Sequence, residues 1–258
     1  MKQFIPVLNP DKNFILQLLK FALLLQCTGV FFHLLGGSAI ETMLFMEVGM
    51  KQADAKSVEK FIGWIFLFLG IWAFFKPNKP LLVIISIMTL LLAFIIKRQG
   101  GSPFTEWSIP AHMVRILLPI GILFFIGEKK KLTMPYYILL TGIVITFLTH
   151  GFEALSLHPR FLDYLILSFD HILGLRIRQI HAENMLRIIG SMDIIVAILA
   201  IFFPKKPVFI WLAFWGLLTA FARVTELGIG MYPEVLIRAG HFLVPVALIL
   251  INEKITNC

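Results

Sequence analysis

The sequence predicts an all-α polytopic membrane protein of eight transmembrane helices, arranged as two parallel four-helix repeats. Three observations carry that expectation: the apolar content, the spacing of the apolar runs, and an internal duplication. Of 258 residues, 59% are hydrophobic, and the mean hydropathy is +0.88. Water-soluble domains sit nearer 45–50% apolar. A body of this size cannot hide that much apolar surface from water, so a bilayer must cover part of it. The runs are continuously apolar rather than alternating, which indicates helices and not the strands of a barrel.

The eight runs lie near 14–35, 58–75, 80–96, 109–127, 135–152, 185–203, 207–222 and 235–252. The first follows Lys12-Asn13, contains Lys20 and ends near His33 without a small-residue cleavage pattern. It is therefore expected to remain as helix one rather than leave as a signal peptide. The second and third runs are joined by the tight turn Lys76-Pro77-Asn78-Lys79-Pro80, the sixth and seventh by Pro204-Lys205-Lys206-Pro207. The fourth and eighth carry mid-run prolines, Pro119 and Pro245. Several runs hold fewer strongly apolar residues than the ~20 that span a bilayer. Their helices must continue into polar flanks, or the bilayer must thin around them. Two connections are long, 36–57 and 153–184. Residues 158–184 look amphipathic and are expected to lie on the membrane surface as a lid or a partner site, with 36–57 as a candidate for the same role.

Lys60–Phe94 aligns without a gap on Arg187–Phe221, with twelve of 35 positions identical, among them Gly63/Gly190, Ala73/Ala200 and Pro77/Pro204. Pro119 matches Pro245, and His33 and His150 hold similar places late in helices one and five. The chain thus divides into a unit over 1–134 and a unit over 135–258. Each holds an even number of helices, so the two run in the same direction, unlike the inverted repeats of many transporters.

An even helix count places both termini on one face. That face carries eleven lysines, Lys2, Lys12, Lys20, Lys76, Lys79, Lys129, Lys130, Lys131, Lys205, Lys206 and Lys254, against three acids, Asp11, Glu128 and Glu253. The positive-inside rule makes it cytoplasmic, with both termini inside a plasma (inner) membrane. The same placement accounts for the net charge of +8 without a nucleic-acid partner. All eight arginines and all seven histidines fall on the opposite side. Lysine serves as a hydrated point charge, whereas arginine and histidine suit directed hydrogen bonding and proton exchange. A polar cavity opening to the exoplasmic face is the functional expectation; longer loops on that side are the plainer one.

The candidate catalytic residues are His150, Glu153 and Asp193. His150-x-x-Glu153 puts an imidazole and a carboxylate on one helical face, enough for proton sharing or an interfacial cap. A single such pair is a weak metal signal, and no metal site is expected. Asp193 is the one acid deep inside an apolar run, and its counterpart in the first unit is Phe66. An intramembrane carboxylate costs several kcal/mol unless paired or protonated. Arg238, His241 or His150 are its expected partners. The candidate ligand-binding residues are Arg223 and the mirrored pairs His112-x-x-Arg115 and Arg238-x-x-His241, which could bracket an anion, a quinone head group or a haem propionate. The same residues could instead snorkel and pair with Glu106, Glu226 and Glu234. Cys27 and Cys258 belong to no disulfide framework or CxxC pair. No nucleotide-loop, nucleophile-elbow, zincin or dinucleotide pattern is sensibly placed.

Over residues 136–252 the chain resembles the DoxX-like group of small four-helix membrane proteins. The likeness lies in Thr149-His150-Gly151 with Glu153-Ala154 following, Ile189-Gly190-x-x-Asp193-Ile194-x-Val196-Ala197, Trp215-Gly216-x-x-Thr219-Ala220, Arg223, and the helix running from Arg238 through His241 to Pro245. The first unit lacks the Asp, the His-Gly and the Trp-Gly, and reads as a degenerate scaffold copy. The family is similar to a subunit of thiosulfate:quinone oxidoreductase, which implies a quinone-linked redox role. The cofactor is left open between quinone and haem. A non-enzymatic binding or assembly subunit, docking a partner through 36–57 and 153–184, is the alternative, and a small-molecule transporter a further one.

Overall fold

The computed structural model describes residues 11–99, 104–127 and 132–256. Lys2, Glu128, Lys129, Lys130, Lys131 and Cys258 lie outside the described residues. Every regular element among them is helical: α1 Lys12–Leu35, α2 Ala39–Met46, α3 Gln52–Phe75, α4 Lys79–Gln99, α5 Ser108–Ala111, α6 Met113–Gly127, α7 Thr133–Leu155, α8 Pro159–Leu173, α9 Gln179–Phe202, α10 Lys206–Leu227, α11 Tyr232–Ile237 and α12 Ala239–Thr256. Seven helical segments are long and apolar enough to cross a membrane. An eighth span is a broken pair, Ile229–Ile237 and Ala239–Ile255, bent by 43°. The protein is an all-α polytopic membrane protein. As the short apolar runs required, helices extend into polar flanks: α3 starts at Gln52 and α9 at Gln179, each well before its apolar stretch.

The duplication is visible in packing. α1 lies on α3 as α7 lies on α9, and α4 on α6 as α10 on α12. The short helices α2 and α8 cover corresponding places, α2 over α3 and α4, α8 over α9 and α10. The units meet where α6 packs on α7 and where α1 packs on α11 and α12. Buried Leu19, Leu118, Ile122, Ile143, Val244 and Leu248 fill the centre. The outer helices expose Phe61, Trp64, Phe68, Ile195, Phe202, Phe214 and Phe221. Such a continuous apolar exterior is stable only against lipid. The phenylalanines divide between this surface and the interior, where Phe66, Phe125 and Phe209 are fully buried.

Small residues set the closest helix approach. A Cβ on Gly190 would lie 2.6 Å from the Gly151 carbonyl oxygen, so α9 and α7 meet backbone to backbone. In bilayers, where hydrocarbon surrounds both partners, such close packing is a main source of helix association.

The last span of each unit is broken near its N-terminal end, at His112 and at Arg238. Thr146 on α7 caps the first break, its hydroxyl oxygen accepting from the Val114 amide at 3.0 Å. Pro119 has no N–H, so the Arg115 carbonyl four residues earlier loses its helical donor. Gln26 on α1 supplies one, Nε2 donating to that carbonyl at 3.1 Å. Pro245 frees the His241 carbonyl in the same way, and Gly216 on α10 packs directly against that oxygen. Each break therefore presents an arginine and a histidine in swapped order: His112 and Arg115 in one unit, Arg238 and His241 in the other.

Candidate functional site

A membrane-embedded chamber under α8

α9 and α10 leave their tight turn at Pro204 and touch only sparingly along their length, leaving a gap that α8 crosses. α8 is amphipathic and buries no residue fully. The N-cap His158 and Pro159 at the first helical position start it; Gly174, at φ 64°, ends it in the left-handed conformation glycine tolerates. Ser168 and Thr225 share a hydroxyl–hydroxyl hydrogen bond, and His171 Nδ1 lies 2.6 Å from the Thr225 carbonyl, fastening α8 to α10. The stretch 158–184, expected to be amphipathic, is helical from Pro159 to Leu173.

Beneath α8 is a cavity of about 330 Å³ whose walls are mostly apolar, with Phe147, Leu165, Phe169, Leu186 and Leu218 among them. His150, Asp193, Trp215, Arg223, Arg238 and His241 give it a polar side. A second cavity of about 570 Å³ adjoins it toward the outer surface, lined by His112, Arg115, Glu153, His158, Arg160 and Asp163. The two share His150, Phe161, Tyr164, Arg223 and Arg238 in their walls. An apolar pocket thus adjoins a polar vestibule, at the end of the molecule away from the termini.

All eight candidate residues line one cavity or the other. His150, Asp193, Arg223, Arg238 and His241 face the apolar one; His112, Arg115 and Glu153 face the vestibule, with His150, Arg223 and Arg238 reaching both. The site draws on both units, since His112 and Arg115 come from the first. His150 Nδ1 and Glu153 Oε2 are 2.8 Å apart, the contact the spacing of three predicts. The His150 and His241 rings stack with centroids 5.9 Å apart, one from α7 and one from α12. Arg238 pairs with Glu234 one turn earlier on α11, and Glu234 also meets His33 at 3.1 Å. Of the three acids expected to pair with this cluster, only Glu234 does so. Glu226 keeps one carboxylate oxygen buried without a hydrogen bond, and Glu106 forms no ion pair among the described residues. Arg223 donates to the Thr219 carbonyl of its own helix and lies 4.8 Å from the Tyr164 ring centre.

Asp193 departs from expectation. It makes no ion pair with Arg238, His241 or His150 among the described residues. The Trp215 indole lies beside its carboxyl instead, yet neither Asp193 Oδ1 nor Trp215 Nε1 reaches a partner in hydrogen-bond geometry. Both ring nitrogens of His241 and the Nε atoms of Arg115, Arg223 and Arg238 are likewise buried without partners. Buried polar groups are nearly always satisfied in folded proteins. These unsatisfied donors and acceptors gather around the two adjoining cavities.

In the first unit, Phe66 occupies the position of Asp193 and is fully buried in the core. Glu59, an acid fully buried in α3, is used structurally: its carboxylate accepts from the Ser38 amide at 2.9 Å and from the Ser38 hydroxyl, tying the start of α2. Trp215 and Tyr164 were missed as site residues from sequence. Trp215 was visible only inside the Trp-Gly motif, and Tyr164 only as one aromatic in an amphipathic stretch. Among the described residues, no three His, Cys, Asp or Glu side chains are grouped to hold a metal ion. Cys27 is buried and unpaired. No family model, curated protein or solved structure matches the chain.

Proposed function

We propose that the protein binds a bilayer-soluble ligand. The apolar part would sit in the pocket between α7, α9, α10 and α8, and the head group would meet His150, Asp193, Arg223, Arg238 and His241. One observation carries the reading: an apolar cavity adjoins a polar one where buried donors and acceptors lack partners. Ligand pockets are typically hundreds of Å³, mostly apolar, with a few convergent polar groups. α8 would be the lid through which the ligand exchanges with the membrane.

The resemblance to DoxX-like proteins makes a quinone-linked redox role the specific form of this reading. The orphaned groups fit it. Trp215 Nε1 and a neutral His241 can donate to a quinone carbonyl, while Asp193 and the His150–Glu153 pair can take and return the accompanying protons. A quinone bound there would supply the electron chemistry; this chain would hold the ring, exclude water and move protons. Cytoplasmic termini and an inner-membrane location, with the chamber on the exoplasmic side, complete the proposal.

Organic extraction of the protein purified in mild detergent, followed by mass spectrometry and an oxidised-minus-reduced spectrum, tests both levels. A prenyl quinone held stoichiometrically by wild type and lost from Asp193→Asn supports the redox form. Another lipid held by the same residues supports binding without it. A protein that retains no amphiphile in the wild type sinks the reading. A second reading, an assembly subunit, is favoured by the exposed Phe45, Met46 and Val48 around the C-terminal end of α2 and Ile172, Leu173 and Leu175 around the C-terminal end of α8. Stoichiometric co-purification of a partner that is lost when Ile172 and Leu173 become serine would support it.

A further inference from the structure

Two arginines in the vestibule wall have no counter-ion. Arg115 on α6 and Arg223 on α10 are each 6% exposed. Neither makes an ion pair among the described residues, and the Nε of each is buried without a hydrogen-bond partner. Of the nearby acids, Glu153 is held by His150 and Glu234 by Arg238 and His33; Asp163, exposed on α8, lines the same cavity, and Glu226 makes no ion pair among the described residues. A guanidinium stays protonated in proteins. Removing it from water is costly unless an opposite charge meets it. Here two such groups, from different repeat units, line one cavity within electrostatic range of each other and of Arg238. Arg160, also lining that cavity, adds a further positive charge from the lid.

We propose that the vestibule is an oxyanion site, taking a carboxylate or phosphate group between Arg115 and Arg223 with Arg160 closing over it. Planar guanidinium forks recognise such groups through paired hydrogen bonds. The site lies apart from the Asp193–Trp215 end of the apolar pocket but shares Arg223 with the head-group region proposed above, and it deepens that reading. Two sources share this chemistry: a small anion from the aqueous side, or the acidic head of an amphiphile whose chain enters the adjoining apolar cavity past Phe161 and Tyr164. The shared wall of the two cavities, at Phe161, Tyr164 and Arg223, puts the second source within reach.

Calorimetric titration of the full chain in neutral detergent, with three probes, tests this. The probes are inorganic phosphate, dodecyl phosphate and the neutral 1-O-dodecylglycerol. At least one phosphate probe binds at least about tenfold more tightly than the neutral ether, a difference of about 1.4 kcal/mol. Arg115→Gln and Arg223→Gln each weaken that binding about tenfold or more, while Arg98→Gln, an exposed arginine paired with Glu47 outside the chamber, leaves it unchanged. Equal affinity for the two phosphates assigns a water-borne anion; binding of dodecyl phosphate alone assigns a lipid head. Equal affinity for dodecyl phosphate and the neutral ether, with no binding of inorganic phosphate, overturns the proposal while leaving amphiphile binding standing. Binding of phosphate that both glutamine variants retain also overturns it. The comparison of charged and neutral probes needs only wild type, so it decides the matter even where a variant fails to fold.

Discussion

At the residue scale, proline in a membrane helix creates a debt that some other side chain must settle. Pro119 leaves the Arg115 carbonyl without its helical donor, and Gln26 Nε2 provides one from α1. That places Gln26, buried and far from any loop, beside the turn that carries Arg115 toward the vestibule. Hydrogen bonds between membrane helices average about 0.6 kcal/mol and reach about 1.7 kcal/mol. Gln26→Leu should therefore destabilise the protein by about 1 kcal/mol in reversible denaturant titration. In a Pro119→Ala background, the restored amide can serve the same carbonyl, and the cost of Gln26→Leu should fall by about half. Equal costs in the two backgrounds would show that Gln26 and Pro119 are not coupled.

At the element scale, α8 is the part of the chamber most able to move, because it buries no residue fully and is held by a few polar contacts. Its N-terminus depends on His158, whose Nδ1 accepts from the Arg160 amide at 3.2 Å. Only a neutral imidazole can accept there. Burial pushes the His158 value below the usual histidine range, Arg160 and His150 push the same way, and Glu153 opposes them. A depressed folded value means that the cap contributes fully above the unfolded value of about 6.5 and fades as pH falls through the folded one. With a cap worth about 1 kcal/mol, the loosened population of α8 should rise, by up to about fivefold, as pH falls from 7.5 to well below the ordinary histidine value of about 6.5. A nitroxide on Asp163→Cys would report this as a growing mobile component in its spectrum. His158→Asn, whose side chain caps without titrating in this range, should flatten the response. An unchanged pH response in that variant would remove His158 from the lid. The amphipathic helix itself was legible in the sequence because the stretch is too short and too polar to span. The breaks at His112 and Arg238 were not. The first is capped by Thr146, and the proline carbonyls are met by Gln26 and Gly216, all from other helices that local pattern does not reveal. The Asp193 partner was misread for the same reason: position along a helix fixes depth and face, while the neighbour across the gap, Trp215, is set by how α9 and α10 splay.

At the scale of the whole molecule, the two units use one architecture with different side chains at matching positions, a buried ring in the first and a cavity-lining carboxylate in the second. The eight spans and the duplication were readable because about twenty apolar residues are the strongest local signal a sequence carries, and because the Pro-flanked turns align without a gap. So was the substitution of Phe66 for Asp193, although its consequence needed the packing. Phe66 sits in the buried core; Asp193 sits on the wall of a cavity. Exchanging the two residues should therefore give opposite results. Phe66→Asp removes a buried ring, costing about 3–5 kcal/mol, and adds a carboxylate with no polar cavity to receive it. Accumulation of folded protein should drop sharply. Asp193→Phe removes a buried carboxylate that has no hydrogen-bonded partner at Oδ1 and extends a ring into existing apolar space beside Trp215 and Leu186. Replacing a buried ionic group by well-packed apolar atoms is often neutral or stabilising by about 1–4 kcal/mol. The variant should unfold at or above the wild-type midpoint while losing whatever amphiphile co-purifies. Thermal unfolding of both variants in the same detergent, with extraction of bound lipid, reads the two effects together. If Asp193→Phe were as destabilising as Phe66→Asp, the carboxylate would be holding the fold, and the hollow in the second unit would be a packing feature rather than a binding site.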